Sequence, residues 1–311
     1  MPLFPEALAR SVAACHPMAL AFSGGLDSRF LAHAAQVLAQ TLAPAPESLC
    51  LVHVHGPHVP QGESRKALAW AQARGLRCVT VFFDPLAFDA VRHNHTERCY
   101  HCKKAMFLAI GHALAALPQG AGHFVLCDGS NASDSQSYRP GLAALSELGV
   151  RSPLAEAALS KQDIRLLAAQ SGLERPEQTP RPCLLTRFAY GLEADAPTLA
   201  ALEKAEDAVA QVLAKFFAPG QTLQPTQPTA LHNPHKTKAV EAAPAVPDFR
   251  LRFLVPQGRA GGQDRQAELH LSASLFPALT HALAAALAKH GFADAAIREM
   301  PQISGLHDRT R

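Results

Sequence analysis

The chain has 311 residues, of which 48% are hydrophobic and 18% charged, and its formal net charge is +3 with sixteen histidines counted as neutral. This composition is ordinary for a globular protein, and the charge is too small to indicate a nucleic-acid partner. No apolar run approaches the ~18 residues of a membrane span, and the N-terminus lacks the basic and apolar regions of a signal peptide. We therefore expect a cytoplasmic protein without a membrane anchor.

Up to about residue 190, short apolar runs alternate with amphipathic stretches, a pattern typical of parallel α/β folds. Strands are predicted at Met18–Phe22, Ser48–His55, Arg77–Phe83 and His123–Cys127. Helices are predicted at Arg29–Gln40, Glu63–Arg74, Lys103–Leu117 and Leu159–Leu173. In the last of these, Ser160 is a suitable N-cap with Asp163 three residues later. The alternation predicts a doubly wound parallel sheet with helices on both faces.

A change of composition near residue 197 predicts a second, smaller α+β domain. We expect the first domain to span residues 1–196 and the second 197–311. The second begins with a long helix, Leu199–Leu213, and ends with two strands and a helix, Phe276–Gly291. Between these parts, residues 218–248 are rich in Pro, Thr and Ala, which predicts an irregular insertion.

The stretch SGGLDS, Ser23 to Ser28, lies between the first predicted strand and helix. Glycine costs conformational entropy on folding, so two adjacent glycines need a reason. One reason is a plain turn, and another is an anion that must approach bare backbone N–H groups at a helix N-terminus. The stretch is neither a phosphate loop ending in Gly-Lys-Ser/Thr nor a G-x-G-x-x-G motif.

SGGLDS resembles the SGGxDS PP-loop of the ATP pyrophosphatase superfamily, whose members split ATP into AMP and pyrophosphate. The resemblance implies that pyrophosphate is bound by Ser23, Gly24, Gly25, Asp27 and Ser28. A bound Mg²⁺ would relieve the repulsion between Asp27 and phosphate, since Mg²⁺ prefers oxygen ligands. We expect the adenine near Ala21, Phe22 and His53.

Six of the seven cysteines fall into two groups, and Cys15 lies outside both. Cys50, Cys78 and Cys127 lie in apolar runs, where small buried hydrophobic residues are expected. Cys99 and Cys102 form a C-x-x-C in TERCYHCKKAMF, and Cys183 lies in TPRPCLLTRFAYG, both in polar surroundings. Three interpretations compete for this second group. They are a structural zinc site with a fourth ligand from His93, His95 or His101, a redox C-x-x-C, and an iron–sulfur cluster held by three thiolates.

Four segments, ERCYHCKK, DGSNASDSQSYRPGLAAL, VRSPLAEAALSKQDIRLLA and PCLLTRFAYG, together resemble the LarE family of PP-loop sulfur transferases. The resemblance covers about residues 20–206. It implies adenylation of a carboxylate of pyridinium-3,5-biscarboxylic acid mononucleotide, followed by replacement of AMP with sulfur. The resulting thiocarboxylate would serve synthesis of the nickel-pincer nucleotide cofactor. The implied partners are a small nucleotide substrate and sulfide or another sulfur donor, and we expect a homo-oligomer.

Members of that family use sulfur in two ways. Some sacrifice a single cysteine at the position of Cys183, and others hold a [4Fe-4S] cluster with three cysteines, matching Cys99, Cys102 and Cys183. Because this chain has all three, we expect the cluster, with these three cysteines and Asp27 as the candidate catalytic residues. The implied cofactors are ATP, Mg²⁺ and the [4Fe-4S] cluster.

Further residues take roles by the same resemblance. Asp128, Gly129 and Asn131 follow a predicted strand and are expected to face the nucleotide phosphates, while Asp134 and Arg139 either position ATP or Mg²⁺ or belong to a capped surface loop. Arg187 is expected to hold a phosphate or the acyl-adenylate, with a surface ion pair as the alternative. In the C-terminal third the match is rough and limited to Arg250, Arg252 and Glu268.

Other functions remain open at this stage. A PP-loop enzyme that thiolates tRNA also combines an ATP loop with a three-cysteine cluster, but it needs a basic surface that this chain does not indicate. A non-catalytic nucleotide or Fe–S sensor on the same fold is a further alternative. Release of pyrophosphate distinguishes the sensor from the enzymes.

Overall fold

The computed structural model describes residues 3–42, 49–118, 123–136, 140–218, 247–255, 266–301 and 303. The chain divides into two compact units, Met1–Leu199 and Ala200–Arg311. Most of the predicted insertion at 218–248 lies outside the described residues, as do the predicted binding residue Arg139 and most of the C-terminal tail. The predicted boundary at residues 196 and 197 stays a prediction.

The first unit is built on a four-stranded sheet in which every strand runs parallel to its neighbours. The strands are β1 (Met18–Ala21), β2 (Leu49–His55), β3 (Arg77–Phe82) and β4 (Val125–Cys127). Their order in the sheet is β3-β2-β1-β4, which matches the central order of a Rossmann-like fold. The predicted α/β class is therefore confirmed for this unit.

Nine helices are described in or entering the first unit. They are α1 (Glu6–Ala13), α2 (Leu26–Leu42), α3 (Gln61–Ala73), α4 (Asp89–Arg92), α5 (Arg98–Ala115), α6 (Pro140–Glu147), α7 (Pro153–Glu156), α8 (Lys161–Gln170) and α9 (Ala196–Phe216). Short 3₁₀ turns lie at Pro85–Ala87, Ala132–Gln136 and Leu184–Arg187. The sequence pattern did not indicate α1, α4, α6 or α7.

The sheet is covered on both faces because successive side chains of a strand point to opposite sides. Leu20 and Leu51 pack in one core with side chains of α1, α2, α3 and α8. Their strand neighbours Ala19 and Val52 pack in a second core with side chains of α5 and α6. Strands buried on both faces read as continuous apolar runs, which is why the sequence pattern identified β1 and β2.

Helices α2 and α5 begin earlier than the sequence predicts, and the difference places predicted site residues on them. Helix α2 begins at Leu26 rather than Arg29, so Asp27 and Ser28 lie in its first turn. Helix α5 begins at Arg98 rather than Lys103, so Cys99 and Cys102 lie three residues apart on one helix. The polar and cysteine residues at both starts lack the apolar periodicity on which the prediction depends.

The second unit holds a separate three-stranded sheet. Strands β5 (Phe249–Leu254) and β6 (Gln266–Leu271) are antiparallel, and β7 (Ala296–Glu299) pairs parallel to β6. Helix α10 (Pro277–Ala288) lies between β6 and β7 in the chain. The predicted strand pair and helix are confirmed, and β7 was not predicted.

Charged residues are buried within this smaller sheet. Arg250 and Arg252 on β5 face His270 and Glu268 on β6, and all four side chains are buried. The imidazole Nε2 of His270 lies 3.1 Å from Glu268 Oε2.

No helix among the described residues is both long and apolar enough to cross a bilayer.

Candidate functional site

The sheet has its topological switch point between β1 and β4. In an open parallel sheet, the loops that follow the two strands at such a point diverge and leave a crevice at the carboxyl edge, where ligands bind. The loop after β1 carries SGGLDS, and the loop after β4 carries Asp128 to Asn131. The two loops are in contact, since a Cβ on Gly129 would lie 3.1 Å from the backbone N of Ser28.

The two glycines of the loop have different surroundings. Gly24 has a φ of +76°, and a Cβ on it would lie 2.5 Å from Cβ of Ala67 on α3. A Cβ on Gly25 would meet only Ser23 Oγ, at 3.4 Å, so packing does not require a glycine there. The hydroxyls of Ser23 and Ser28 are 3.2 Å apart. Gly25 therefore leaves bare backbone beside two hydroxyls at the N-terminus of α2, as an anion site requires.

Asp27 is held by two polar side chains. Lys161 Nζ, from the first residue of α8, donates to Asp27 Oδ1 at 2.6 Å, and Asn131 Nδ2 donates to Oδ2 at 3.4 Å. Both side chains of the ion pair are about one quarter exposed. The sequence did not single out Lys161, although it lies in a segment that carries the family resemblance. A carboxylate and an ammonium group thus stand together beside the glycine loop.

Asp128 lies at the end of β4 and accepts several hydrogen bonds. Its carboxylate accepts from the backbone N and the hydroxyl of Ser130, from Ser152 Oγ at 2.7 Å, and from Lys103 Nζ at 3.4 Å. Lys103 follows Cys102 directly on α5. The ion pair between Lys103 and Asp128 therefore connects the cysteine-bearing helix to the switch point.

The loop after Asp128 is internally capped. Asp134 Oδ2 accepts from the backbone N of Asn131 at 3.0 Å, and Asn131 Oδ1 accepts from the backbone N of Ser133 at 2.9 Å. Ser133 Oγ in turn accepts from the backbone N of Lys161 at 3.0 Å. These bonds agree with the capped-loop alternative for Asp134, and they fix Lys161 beside Asp27.

The residues predicted near the adenine are buried or half-buried. Phe22 is buried and stacks on Trp70, with ring centroids 5.4 Å apart. His53 is also buried, and its Nδ1 lies 2.8 Å from the backbone O of Phe22. Burial lowers the pKa of His53, which favours its neutral form. Ala21 is half-buried at the end of β1. These residues can therefore contact an adenine ring mainly through backbone atoms and through the shape of the surface.

The three polar cysteines come from separate segments. Cys99 is exposed, and Cys102 and Cys183 are half-buried, all as free thiols. Burial raises the pKa of Cys102, and the charges of Cys183 and Cys99 raise it further. Burial and the charge of Cys99 likewise raise the pKa of Cys183. Each thiol therefore lies within electrostatic range of another.

Two buried guanidinium groups oppose these effects. The charge of Arg98 acts to lower the pKa of both Cys102 and Cys183, and the charge of Arg187 acts on Cys183 in the same sense. Arg98 Nη1 donates to Asn94 Oδ1, and its guanidinium lies over the ring of Tyr190 at 5.1 Å. The site thus contains cations that would favour thiolate over thiol.

Asn94 connects the start of α5 to the chain after Cys183. It is fully buried, and its Nδ2 donates to the backbone O of Phe188 at 3.0 Å and of Ala189 at 2.6 Å. Its own backbone O accepts from Gly191 at 3.1 Å. Neither Asn94 nor Arg98 was identified from the sequence, because their role depends on contacts with residues almost a hundred positions away.

Arg187 braces the backbone around Cys183. Its Nη1 donates to the carbonyl O of Pro182 at 3.1 Å and of Cys183 at 3.4 Å, and to Thr186 Oγ1 at 3.0 Å. The residue is completely buried, which contradicts the alternative of a surface ion pair. A role in holding phosphate stays a prediction.

The donor set suits an iron–sulfur cluster, since thiolates are the usual ligands of such clusters. Within the described ranges, no three Cys, His, Asp or Glu side chains come close enough to share one metal ion. The thiolates of a cubane each bind a different iron, so this finding does not bear on that cluster.

The fold and the site together define a parallel α/β protein of Rossmann-like topology, with a glycine loop and three polar cysteines on segments near one edge of the sheet. No family model matches the chain. Over 188 residues it is 34% identical to the uncharacterized protein slr1717 of Synechocystis sp., covering 60% of this chain and 66% of the relative. It is 30% identical over 188 residues to the uncharacterized protein MJ0830 of Methanocaldococcus jannaschii, covering 60% of this chain and 67% of that protein. The chain therefore belongs to the family that the latter protein represents.

A third relative has a functional name. Over 173 residues the chain is 33% identical to pyridinium-3,5-bisthiocarboxylic acid mononucleotide synthase of Lactiplantibacillus plantarum, covering 55% of this chain and 59% of the synthase. This similarity supports the LarE-like resemblance. The chain matches about three fifths to two thirds of the length of these relatives.

Proposed function

We propose that this protein is an ATP-dependent sulfur transferase of nickel-pincer cofactor synthesis. The carboxylate of pyridinium-3,5-biscarboxylic acid mononucleotide would attack the α-phosphorus of ATP, giving an acyl-adenylate and pyrophosphate. Sulfide would then displace AMP and leave a thiocarboxylate. The observation that carries the proposal is the pairing of Asp27 with Lys161 beside the glycine loop, in a chain similar to the named synthase.

The charged groups beside the loop suit the first step. Ser23, Gly25 and Ser28 offer hydroxyl and backbone donors to the departing pyrophosphate, and Asp27 offers carboxylate oxygen atoms to Mg²⁺. Lys161 would turn from Asp27 to the phosphates when the metal takes its place. An ionised carboxylate needs no general base, so catalysis rests on positioning and on stabilisation of charge.

The cysteines suit the second step. Cys99, Cys102 and Cys183 would hold a [4Fe-4S] cluster, whose fourth iron, free of a protein ligand, would supply the sulfide. Arg98 and Arg187 would stabilise the thiolates. Lys103 would keep α5, and with it Cys99 and Cys102, next to Asp128.

Replacement of Asp27 tests the proposal. The wild-type protein, given Mg²⁺, ATP and the dicarboxylate nucleotide, should release pyrophosphate and AMP. Asp27→Asn should lower kcat by about 100-fold or more, because a group that stabilises the transition state is lost. Phosphate detection after pyrophosphatase treatment measures the rate.

Asp89→Asn is the matched control, since Asp89 is an exposed carboxylate of the same unit that pairs with Arg92 on the same short helix. It should keep the wild-type rate. A folded Asp27→Asn variant with unchanged turnover, or a wild-type protein that releases no pyrophosphate with this acceptor, would overturn the proposed function.

A further inference from the structure

Arg29 directly follows the glycine loop and reaches a distant part of the chain. It lies in the first turns of α2, next to Ser28, and only 1% of it is exposed. Its Nη1 donates to the backbone O of Glu174 at 2.9 Å. Its Nη2 donates to the backbone O of Arg175 at 3.3 Å and to Gln178 Oε1 at 2.6 Å. One side chain therefore holds a stretch of five residues, 174–178.

Burial of the Arg29 cation is unfavourable in free energy if the side chain serves only to pack the two segments together. The three acceptors are neutral oxygens, so no direct hydrogen bond to a carboxylate compensates for burial of the Arg29 cation. Arg175 also has a φ of +53°, a conformation that non-glycine residues rarely adopt. A buried charge and a strained backbone at one contact indicate that the geometry of the segment matters.

The braced segment leads to Cys183. Five positions separate Gln178 from Cys183, and the far end of this stretch is also fixed. The backbone N of Leu184 donates to the backbone O of His58 at 2.8 Å, and Arg181 pairs with Glu63 at 3.7 Å. His58 follows β2 and Glu63 lies in the first turn of α3, so both anchors lie near the carboxyl edge of the sheet.

We propose that Arg29 is a positioning residue that couples nucleotide binding at the glycine loop to the placement of Cys183. This inference rests on the proposed function, because it requires a nucleotide at the loop. Phosphates that settle on the first turn of α2 act on the helix turn to which Arg29 belongs. The guanidinium transmits any shift to residues 174–178 and so to the segment that carries Cys183.

The first test measures the reactivity of Cys183 in metal-free, reduced protein. Iodoacetamide alkylation of Cys183 is followed by mass spectrometry with and without Mg²⁺ and a non-hydrolysable ATP analogue, with exposed Cys99 as an internal reference. The analogue should change the rate at Cys183 at least threefold relative to Cys99 in the wild type. In Arg29→Met the change should vanish, although the analogue still binds.

Arg74→Met is the matched control. Arg74 holds the same segment through Glu174, with Nη1 and Nη2 at 3.0 and 2.6 Å from the two carboxylate oxygens, but it directly follows α3 and does not lie on α2. It should keep the nucleotide effect on Cys183. Equal loss in both variants would mean that the segment merely needs bracing, and would overturn the coupling.

The second test uses turnover of the cluster-loaded enzyme. Arg29→Met should keep pyrophosphate release within about threefold of wild type but lower the thiolated product formed per pyrophosphate at least tenfold. If Arg29→Met does not fold, Gln178→Ala removes the one side-chain acceptor and should reduce the nucleotide effect on Cys183 by at least half.

The outcomes separate the two proposals. A wild-type protein whose Cys183 alkylation does not respond to the analogue, or a folded Gln178→Ala variant with the full wild-type effect, overturns the coupling. Absence of pyrophosphate release from the wild type overturns the proposed function instead, and it is read in a different assay.

Discussion

Gly24 and Gly25 are neighbours, yet the structure constrains them differently. Gly24 is required by the fold, because its φ is +76° and helix α3 passes where a side chain would be. Gly25 has room for a methyl group and an ordinary φ, so the fold does not explain it. The fold therefore explains Gly24 as a turn residue, while an anion site stays the prediction for Gly25.

Alanine substitutions should separate these two roles. Gly24→Ala should destabilise the protein by about 2–4 kcal/mol, through a left-handed backbone and a close contact with Ala67. Gly25→Ala should change stability by about 0.5 kcal/mol or less. Urea unfolding followed by circular dichroism measures both.

Nucleotide binding should be weakened by the Gly25 substitution, which leaves stability nearly unchanged. Folded Gly25→Ala should lose most of the thermal stabilisation that Mg²⁺ and ATP give the wild type, since its methyl group would occupy the space of the phosphates. Wild-type stabilisation in Gly25→Ala would mean that the bare backbone at this position does not bind the anion.

At the scale of elements, the start of helix α8 connects secondary structure to the site. Ser160 and Asp163 form a reciprocal capping box, with Ser160 Oγ accepting from the backbone N of Asp163 at 3.2 Å and Asp163 Oδ2 accepting from the backbone N of Ser160 at 2.9 Å. The next residue, Lys161, bonds Asp27. The sequence predicted the cap but not its consequence, which is to hold the ammonium group of Lys161 in place.

Ser160→Ala should therefore have a local and a functional effect. Loss of the N-cap should cost the helix about 1 kcal/mol, seen as faster amide hydrogen exchange in the first turn of α8. The KM for ATP should rise, because Lys161 loses its fixed place. Ser171→Ala, at the C-terminal end of the same helix, is the control and should leave KM unchanged. An unchanged KM in Ser160→Ala would show that Lys161 is positioned without the cap.

The cap should also depend on pH. Hydrogen bonds from Ser160 lower the pKa of Asp163, so the folded state binds its proton less readily than the unfolded chain does. The contribution is thus fully present above about pH 4 and is lost as the pH falls further. In Ser160→Ala this acid dependence of exchange in α8 should be weaker.

At the scale of the whole molecule, the candidate site draws on segments that are far apart in the chain. Cys99 and Cys102 lie on α5, Cys183 lies some eighty residues later, and Asn94 with Arg98 connects the two places. The isolated bridge between Cys127 and Arg151 continues the sheet beyond β4. The three cysteines therefore come within electrostatic range of one another only in the folded chain.

Metal content tests their joint role. Protein purified without oxygen should be brown and contain about four irons per chain, as for a cubane cluster. Cys99→Ala, Cys102→Ala and Cys183→Ala should each lose most of this iron. Cys78→Ala, a half-buried thiol on β3, is the control and should keep it. A colourless protein with about one zinc, or dehydroalanine at position 183 after turnover, would contradict the cluster.

The sequence by itself determined the class of fold and the motifs on which the proposed chemistry depends. Strands buried on both faces are apolar along most of their length, so β1 and β2 can be identified from the sequence, and SGGLDS and the cysteine segments are local patterns. The positions of α1, α6 and β7 were missed because short elements are stabilised by packing rather than by their own periodicity.

Only the tertiary structure decided which side chains act together. The pairs Lys161–Asp27 and Lys103–Asp128, and the bonds of Arg29 to residues 174–178, join residues from 25 to about 150 positions apart. It also showed that Arg187 is buried against the backbone of Cys183. No local pattern specifies such contacts, because the free energy that creates them comes from burial and hydrogen bonding between distant segments, which exist only once the chain has folded.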